Sequence, residues 1–164
     1  MFNYLFVVLI VVTIFIYFYS KKYSIKIRNQ SGYLHSLPQY YGFYASLWFL
    51  IPSLIIIGLY LIFAESFVTS TLIKSLPNDI KNLPVNELNL VVNDIKNLAV
   101  GNIANSSSFT GINEAANFYN EQYELIDKVV FYSSLIIGLL TFTYAYKTIS
   151  SSYRARNFIE SAIH

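Results

Sequence analysis

Three stretches of the sequence, residues 2–19, 41–64 and 129–146, contain no charged side chain. At 1.5 Å of rise per residue, even an 18-residue helix measures about 27 Å, close to the roughly 30 Å hydrocarbon core of a bilayer. Charged residues make up 12% of the chain, against about 25% in soluble domains, which is too few to cover a surface in water. We therefore predict an all-α polytopic membrane protein with three transmembrane helices.

Basic residues near the ends of the spans predict their orientation. Residues 20–40 carry four basic side chains and no acidic one, and residues 147–164 carry three basic side chains and one acidic one. Residues 65–128 contain eight acidic side chains and four lysines. Because basic loops stay cytoplasmic, we expect a cytoplasmic loop at 20–40, a cytoplasmic tail at 147–164, and an extracytoplasmic loop at 65–128 with the N-terminus outside.

The extracytoplasmic segment has helical periodicity. One apolar stripe at spacings of three and four residues comprises Leu88, Val91, Val92, Ile95, Leu98 and Ala99. Pro84 suits a first helical turn and Gly101 suits a stop, so we predict a helix of about four turns between them. A second apolar face runs into the third span and comprises Ile112, Ala116, Tyr119, Tyr123, Ile126 and Val130. A second helix should begin after Gly111, with residues 102–111 as the loop between the two helices.

Two features inside the spans bear on packing. Pro52 removes a backbone donor, so it should kink the second helix or leave a carbonyl that a neighbouring helix must satisfy. The alternative is that proline is simply more common in membrane helices than in soluble ones. The small side chains of Ser133, Ser134, Gly138 and Thr141 recur about every four residues and would give the third helix a narrow packing face.

The residue types needed for catalysis are missing or scattered. There is no cysteine, and the two histidines, His35 and His164, stand in no metal-ligand spacing. No phosphate-binding glycine loop occurs, and no charged residue lies within a span, where a transport pathway usually needs one. The net charge of +2 without a basic run argues against a nucleic-acid partner. We expect no enzyme, no catalytic residue, no cofactor and no metal site.

The most distinctive segment precedes the second span. Its sequence LHSLP occupies residues 34–38, with His35 just outside the membrane. Ser36 is placed to be the N-cap of the second helix and Pro38 to lie in its first turn. Tyr40, Tyr41 and Tyr44 would lie at the cytoplasmic headgroup level as an aromatic belt.

This segment, with YYG at 40–42, ASLW at 45–48 followed by Pro52, and YRARN at 153–157, resembles the N-terminal region of PstC, the permease subunit of phosphate ABC transporters. The similarity extends along the whole chain, as a single PstC-like N-terminal membrane region. Its motif markers, whose roles the sequence leaves open, are Leu34, His35, Ser36, Leu37, Pro38, Tyr41, Gly42, Arg154 and Arg156.

The resemblance implies a multi-pass protein of the bacterial inner membrane that anchors and contacts other subunits of a phosphate importer. The implied partners are the lipid bilayer, the permease core, the second permease PstA, the ATPase PstB and a periplasmic phosphate-binding protein. The translocation core would begin just after His164, so we expect either a fragment or split subunit of a longer permease, or an extension that exists alone. The alternative function is a standalone membrane adaptor or sensor that relays transporter state through the loop around His35.

Overall fold

The computed structural model describes residues 2–102 and 110–163, and all regular structure within them is α-helical. In chain order the helices are α1 (Phe2–Ser31), α2 (Pro38–Ser75), α3 (Asn78–Lys81), α4 (Val85–Ala99), α5 (Ile112–Thr148) and α6 (Ala155–Ile163). Three of them contain segments long and apolar enough to cross a membrane: Tyr4–Ser31, Pro38–Ser75 and Ile112–Thr148. The predicted fold class is confirmed.

The chain divides into two compact units. Unit 1 consists of Met1–Gly58 and Val130–His164, and unit 2 consists of Leu59–Val129. Both boundaries fall inside long helices, α2 and α5. Each unit has its own buried cluster.

Helix α1 continues well beyond the uncharged stretch 2–19, so that only residues 32–37 connect it to α2 without helix. The extension is held by packing, because Tyr23 and Ile27, four residues apart, contact the apolar cluster around the start of α2. Ser24 is fully buried on the same side. The lysines and arginine of this segment therefore lie on a helix.

In unit 1, α2 and α5 meet along small residues, as the spacing in the third span predicts. Gly138 is buried, and a Cβ atom there would lie 2.8 Å from the Phe49 ring, which is too close for any larger residue. The Ser53 hydroxyl lies 2.9 Å from the Ser134 carbonyl oxygen and 2.8 Å from the Phe49 carbonyl oxygen. The two helices therefore approach closely and share a hydrogen bond within the membrane-spanning segments.

Pro52 lies inside α2 and cannot donate to the carbonyl of Trp48, four residues earlier. The hydroxyl of Thr141 on α5 donates to that carbonyl oxygen. The neighbouring helix thus supplies the donor that the proline removes. Of the two interpretations of Pro52, the freed carbonyl satisfied by another helix is confirmed.

Unit 2 buries the two apolar faces predicted from the sequence. Its buried residues are Val68, Leu72 and Leu76 of α2, Val91, Val92 and Ile95 of α4, and Ala116 and Tyr119 of α5. Leu88, Leu98, Ile112, Tyr123 and Ile126 pack around them half-buried. On the rim, Lys96 forms a 2.9 Å ion pair with Glu65, and the Tyr60 hydroxyl donates to Asp127 at 2.6 Å.

The ends of α4 agree with the sequence prediction to within a residue. Pro84 stands at the N-cap, one position before the helix. Gly101 adopts φ +85°, and the N–H groups of Gly101 and Asn102 donate to the carbonyls of Leu98 and Asn97. This is the glycine stop that most other residues would strain to make. The predicted start of α5 after Gly111 is also confirmed, while residues 103–109 of the predicted loop lie outside the described part of the chain.

Replacing Thr141 with valine tests the seam between α2 and α5. The variant leaves the Trp48 carbonyl without a donor in an apolar setting, which should lower the free energy of unfolding by about 1–2 kcal/mol. The matched control is Thr143→Val, because the exposed Thr143 hydroxyl bonds only to Leu139 of its own helix. Unfolding by SDS titration in mixed micelles measures both variants. Equal losses of stability in the two would contradict the assignment.

Candidate functional site

The two motifs that carry the resemblance, residues 34–38 and 153–157, lie against each other in unit 1. The backbone N–H of His35 donates to the Ser151 carbonyl at 2.9 Å. The backbone N–H of Arg156 donates to the Ser36 hydroxyl at 3.2 Å, across 120 residues of sequence. We call this contact region, residues 33–44 with 149–159, the motif juncture.

The sequence predicts that Ser36 is the N-cap of α2, but in the structure Ser36 does not cap that helix. Helix α2 begins at Pro38, which lacks an N–H, and the Tyr40 N–H is taken by the Leu37 carbonyl at 3.0 Å. The buried Ser36 hydroxyl instead accepts from the second residue of α6. The first four N–H groups of a helix have no partner within it, so this serine caps α6 from another segment of the chain. The expectation for Ser36 is therefore wrong, whereas Pro38 in the first turn of α2 is confirmed.

Tyr41 forms a further hydrogen-bonded contact within the juncture. Its side chain is fully buried, and its hydroxyl donates to the Tyr153 carbonyl at 2.7 Å, with the Ser150 carbonyl further away at 3.4 Å. Residues 149–154 are not helical, so their carbonyls need partners from elsewhere. A tyrosine near the start of α2 thus fixes the path of the chain between α5 and α6.

Aromatic rings fill the space beneath these hydrogen bonds. The ring of Tyr44 lies 4.9 Å from the rings of both Tyr153 and Phe158, measured between centroids. The Trp48 ring stacks on Phe158 at 6.2 Å. Such pairs add about 0.5–1.5 kcal/mol each beyond the area that they bury. The apolar side of α6 is therefore held on α2.

Gly42 lets α1 pack closely against α2. A Cβ atom there would lie 2.7 Å from the Tyr17 ring and 3.0 Å from the Tyr17 carbonyl oxygen. One turn further along α2, the Ser46 hydroxyl donates to the Thr13 carbonyl at 3.3 Å. The YYG motif thus combines a tyrosine that holds the α5–α6 connection with a glycine that admits α1.

Of the five remaining motif markers, Leu34 is half-buried and packs against the cluster of Tyr41 and Tyr44, and the other four turn outward. The side chains of His35, Leu37, Arg154 and Arg156 are exposed, and Leu37 exposes 64% of its surface. Arg156 pairs with Glu160 at 2.6 Å, and this hydrogen bond raises the pKa of the guanidinium, which stays charged at every physiological pH. The juncture therefore presents cationic side chains and the apolar side chains of Tyr33, Leu37 and Phe43 to its surroundings.

The juncture offers little to a metal or a small reactive ligand. Within residues 2–102 and 110–163 no three His, Cys, Asp or Glu side chains come close enough to share a metal ion. An apolar hollow of about 200 Å³ beside it is lined by Leu47, Trp48, Ile51, Pro52 and Phe158. The arrangement is suited to holding helices together and to contacting a partner.

The residues on the α6 side that complete the juncture are not among the predicted site residues. Tyr153 belongs to the YRARN motif, and Phe158 belongs to none of the motifs. The pattern of Ala155, Phe158 and Ile159 at helical spacing, opposite Arg156 and Glu160, marks a short amphipathic helix. That pattern is the signal from which α6 could have been found.

Helices of membrane-spanning length, joined by a packed juncture of short motifs, define an integral membrane protein. The chain belongs to the family described as "Phosphate ATP-binding cassette transporter", which matches residues 5–163. No curated protein and no solved structure matches the chain.

Replacing Ser36 with alanine tests the contact between the two motifs. Loss of the cap should destabilise α6 by about 1 kcal/mol and speed hydrogen exchange at the Arg156 amide. Ser161→Ala is the matched control, since that exposed hydroxyl bonds only to Phe158 within α6. Faster exchange in the first turn of α6 should appear in the first variant alone. Unchanged exchange in Ser36→Ala would contradict the capping contact.

Proposed function

We propose that this chain is the N-terminal membrane region of a PstC-type permease and that it anchors and contacts other subunits of an ABC importer for inorganic phosphate. Two findings support the proposal together. The family match covers nearly the whole chain. The motifs that resemble PstC also form one packed juncture, although they lie 120 residues apart in sequence.

The division of the motif residues into two groups carries the proposal. One group is buried, and packing and hydrogen bonds within the chain account for it. It consists of Ser36, Tyr41 and Gly42. His35, Leu37 and Arg154 point outward, and no contact within the described chain explains them. An exposed leucine in one motif and an exposed arginine in the motif packed against it suit a protein partner, because interfaces combine apolar anchors with arginine.

The charge distribution supports a particular arrangement of partners. We place segment 20–40 and tail 147–164 on the cytoplasmic side of the inner membrane, where the juncture would face the permease core, PstA and the ATPase PstB. The acidic segment 65–128 would then lie outside, on the side of the phosphate-binding protein. The N-terminus would be outside and the C-terminus cytoplasmic.

The same features argue that transport itself occurs in other parts of the importer. The stretches 2–19, 41–64 and 129–146 carry no charged side chain, whereas a transport pathway for an ion usually needs a charged group within the membrane. We therefore propose a non-enzymatic structural role for this chain, without a translocation pathway of its own.

A standalone adaptor or sensor is the second candidate function. The observation that favours it is the exposed His35 side chain between α1 and α2, where it is open to contact by a regulator. In that case substitutions in LHSLP would alter the signalling response to phosphate and leave uptake intact. In a permease region they would reduce uptake.

A triple substitution of the outward side chains, His35→Ala, Leu37→Ala and Arg154→Ala, tests the proposed contact. In cells that express the complete importer, the amounts of the second permease and of the ATPase that co-purify should fall at least about fivefold, as should phosphate uptake. This is the result of losing about 1 kcal/mol or more of interface energy.

The control triple is Arg28→Ala, Asn29→Ala and Gln30→Ala, which are exposed at the end of α1 and lie outside the motif juncture. It should leave both readouts unchanged. Co-purification that survives the motif triple would overturn the subunit-contact role. Altered signalling with intact uptake would favour the adaptor.

A further inference from the structure

One face of α1 carries a long apolar furrow that ends in positive charge. The furrow is lined by Val11, Ile14, Phe15, Phe18, Tyr19 and Lys22 and has a volume of about 330 Å³. These positions follow one another at spacings of one, three and four residues, so they form a single stripe along the helix. We call it the α1 furrow.

A second apolar hollow adjoins it. This hollow has a volume of about 310 Å³, shares Phe15 and Tyr19 with the furrow, and is closed on its far side by Leu139 and Phe142 of α5. Both volumes are in the range of small-molecule sites, roughly 300–1,000 Å³. A flexible apolar chain therefore has two adjoining grooves to occupy.

The length of the furrow matches one leaflet of a bilayer. From Val11 to Lys22 the helix rises about 16 Å, and half of a hydrocarbon core is about 15 Å thick. Lys26 follows Lys22 by four residues on the same face, and both side chains are exposed. The apolar part thus spans the acyl region of one leaflet, and the two lysines lie at headgroup depth.

Along α1 and the segment that follows it, every charged side chain is basic. Residues 2–40 contain no aspartate or glutamate, and the first acidic residue of the chain is Glu65. Two lysines without an acidic neighbour on their own helix complement an anion. Basic groups beside grooves between membrane helices are suited to anionic lipid headgroups.

We propose that the α1 furrow is a binding site for an anionic phospholipid, whose acyl chain lies along Val11–Phe18 and whose headgroup phosphate is held by Lys22 and Lys26. The inference requires only that α1 crosses the membrane and does not depend on the permease role. It gives Lys22 and Lys26 a role in binding a ligand, in addition to their effect on membrane topology.

The test compares lipids retained by the purified full chain after incubation with mixed vesicles of phosphatidylglycerol and phosphatidylcholine. Native mass spectrometry counts the bound molecules. The unmodified chain should retain phosphatidylglycerol in preference to phosphatidylcholine. The double variant Lys22→Gln/Lys26→Gln should lose that preference about tenfold or more, as two basic contacts near an anionic headgroup imply.

The matched control is Lys21→Gln/Arg28→Gln, which removes the same charge from the same helix but from positions off the furrow. It should keep most of the preference. Equal loss in both doubles would show a general surface attraction and overturn the site. Displacement of the lipid by inorganic phosphate, or retention of neither lipid by the unmodified chain, would also overturn it, the latter favouring a protein helix as the occupant.

Discussion

A single backbone carbonyl governs the arrangement of unit 1. Pro52 leaves the Trp48 carbonyl without its helical donor, and in lipid an unpaired carbonyl costs several kcal/mol. The Thr141 hydroxyl satisfies it, which requires α5 to lie beside α2 in one register. Gly138 permits that approach, since any side chain there would collide with Phe49. The same register brings Ala145 and Ile149 of α5 into the buried cluster at the start of α2.

That cluster contains residues of the sequence motifs, and its packing explains some of them. The residues resembling PstC comprise an inward set, which closes the chain on itself, and an outward set, which the described fold leaves exposed. Inward residues need no partner to explain them, because each hydrogen bond or close contact is made within unit 1. The outward side chains are the part of the motif that packing does not require, and the proposed subunit contact rests on them.

The structural features that depend on composition and on the spacing of apolar residues can be predicted from the sequence. The three spans follow from missing charge, α4 from a stripe of apolar residues with Gly101 at its end, and the packing face of α5 from Ser134, Gly138 and Thr141. The sequence did not predict the features that depend on distant contacts. Helix α1 extends to Ser31 because Tyr23 and Ile27 meet another helix. Ser36 caps α6 because the fold places the two together, and no local rule contains that information.

We propose that three uncharged stretches, within α1, α2 and α5, cross the inner membrane with the motif juncture on the cytoplasmic side. The chain has no cysteine, so single cysteines can be introduced at Asn29, beside the juncture, and at Asn102, after α4. A membrane-impermeant maleimide applied from the periplasmic side should label the cysteine at 102 and spare the one at 29 until the membrane is opened. The reverse labelling pattern, or equal labelling of both in intact cells, would contradict the account.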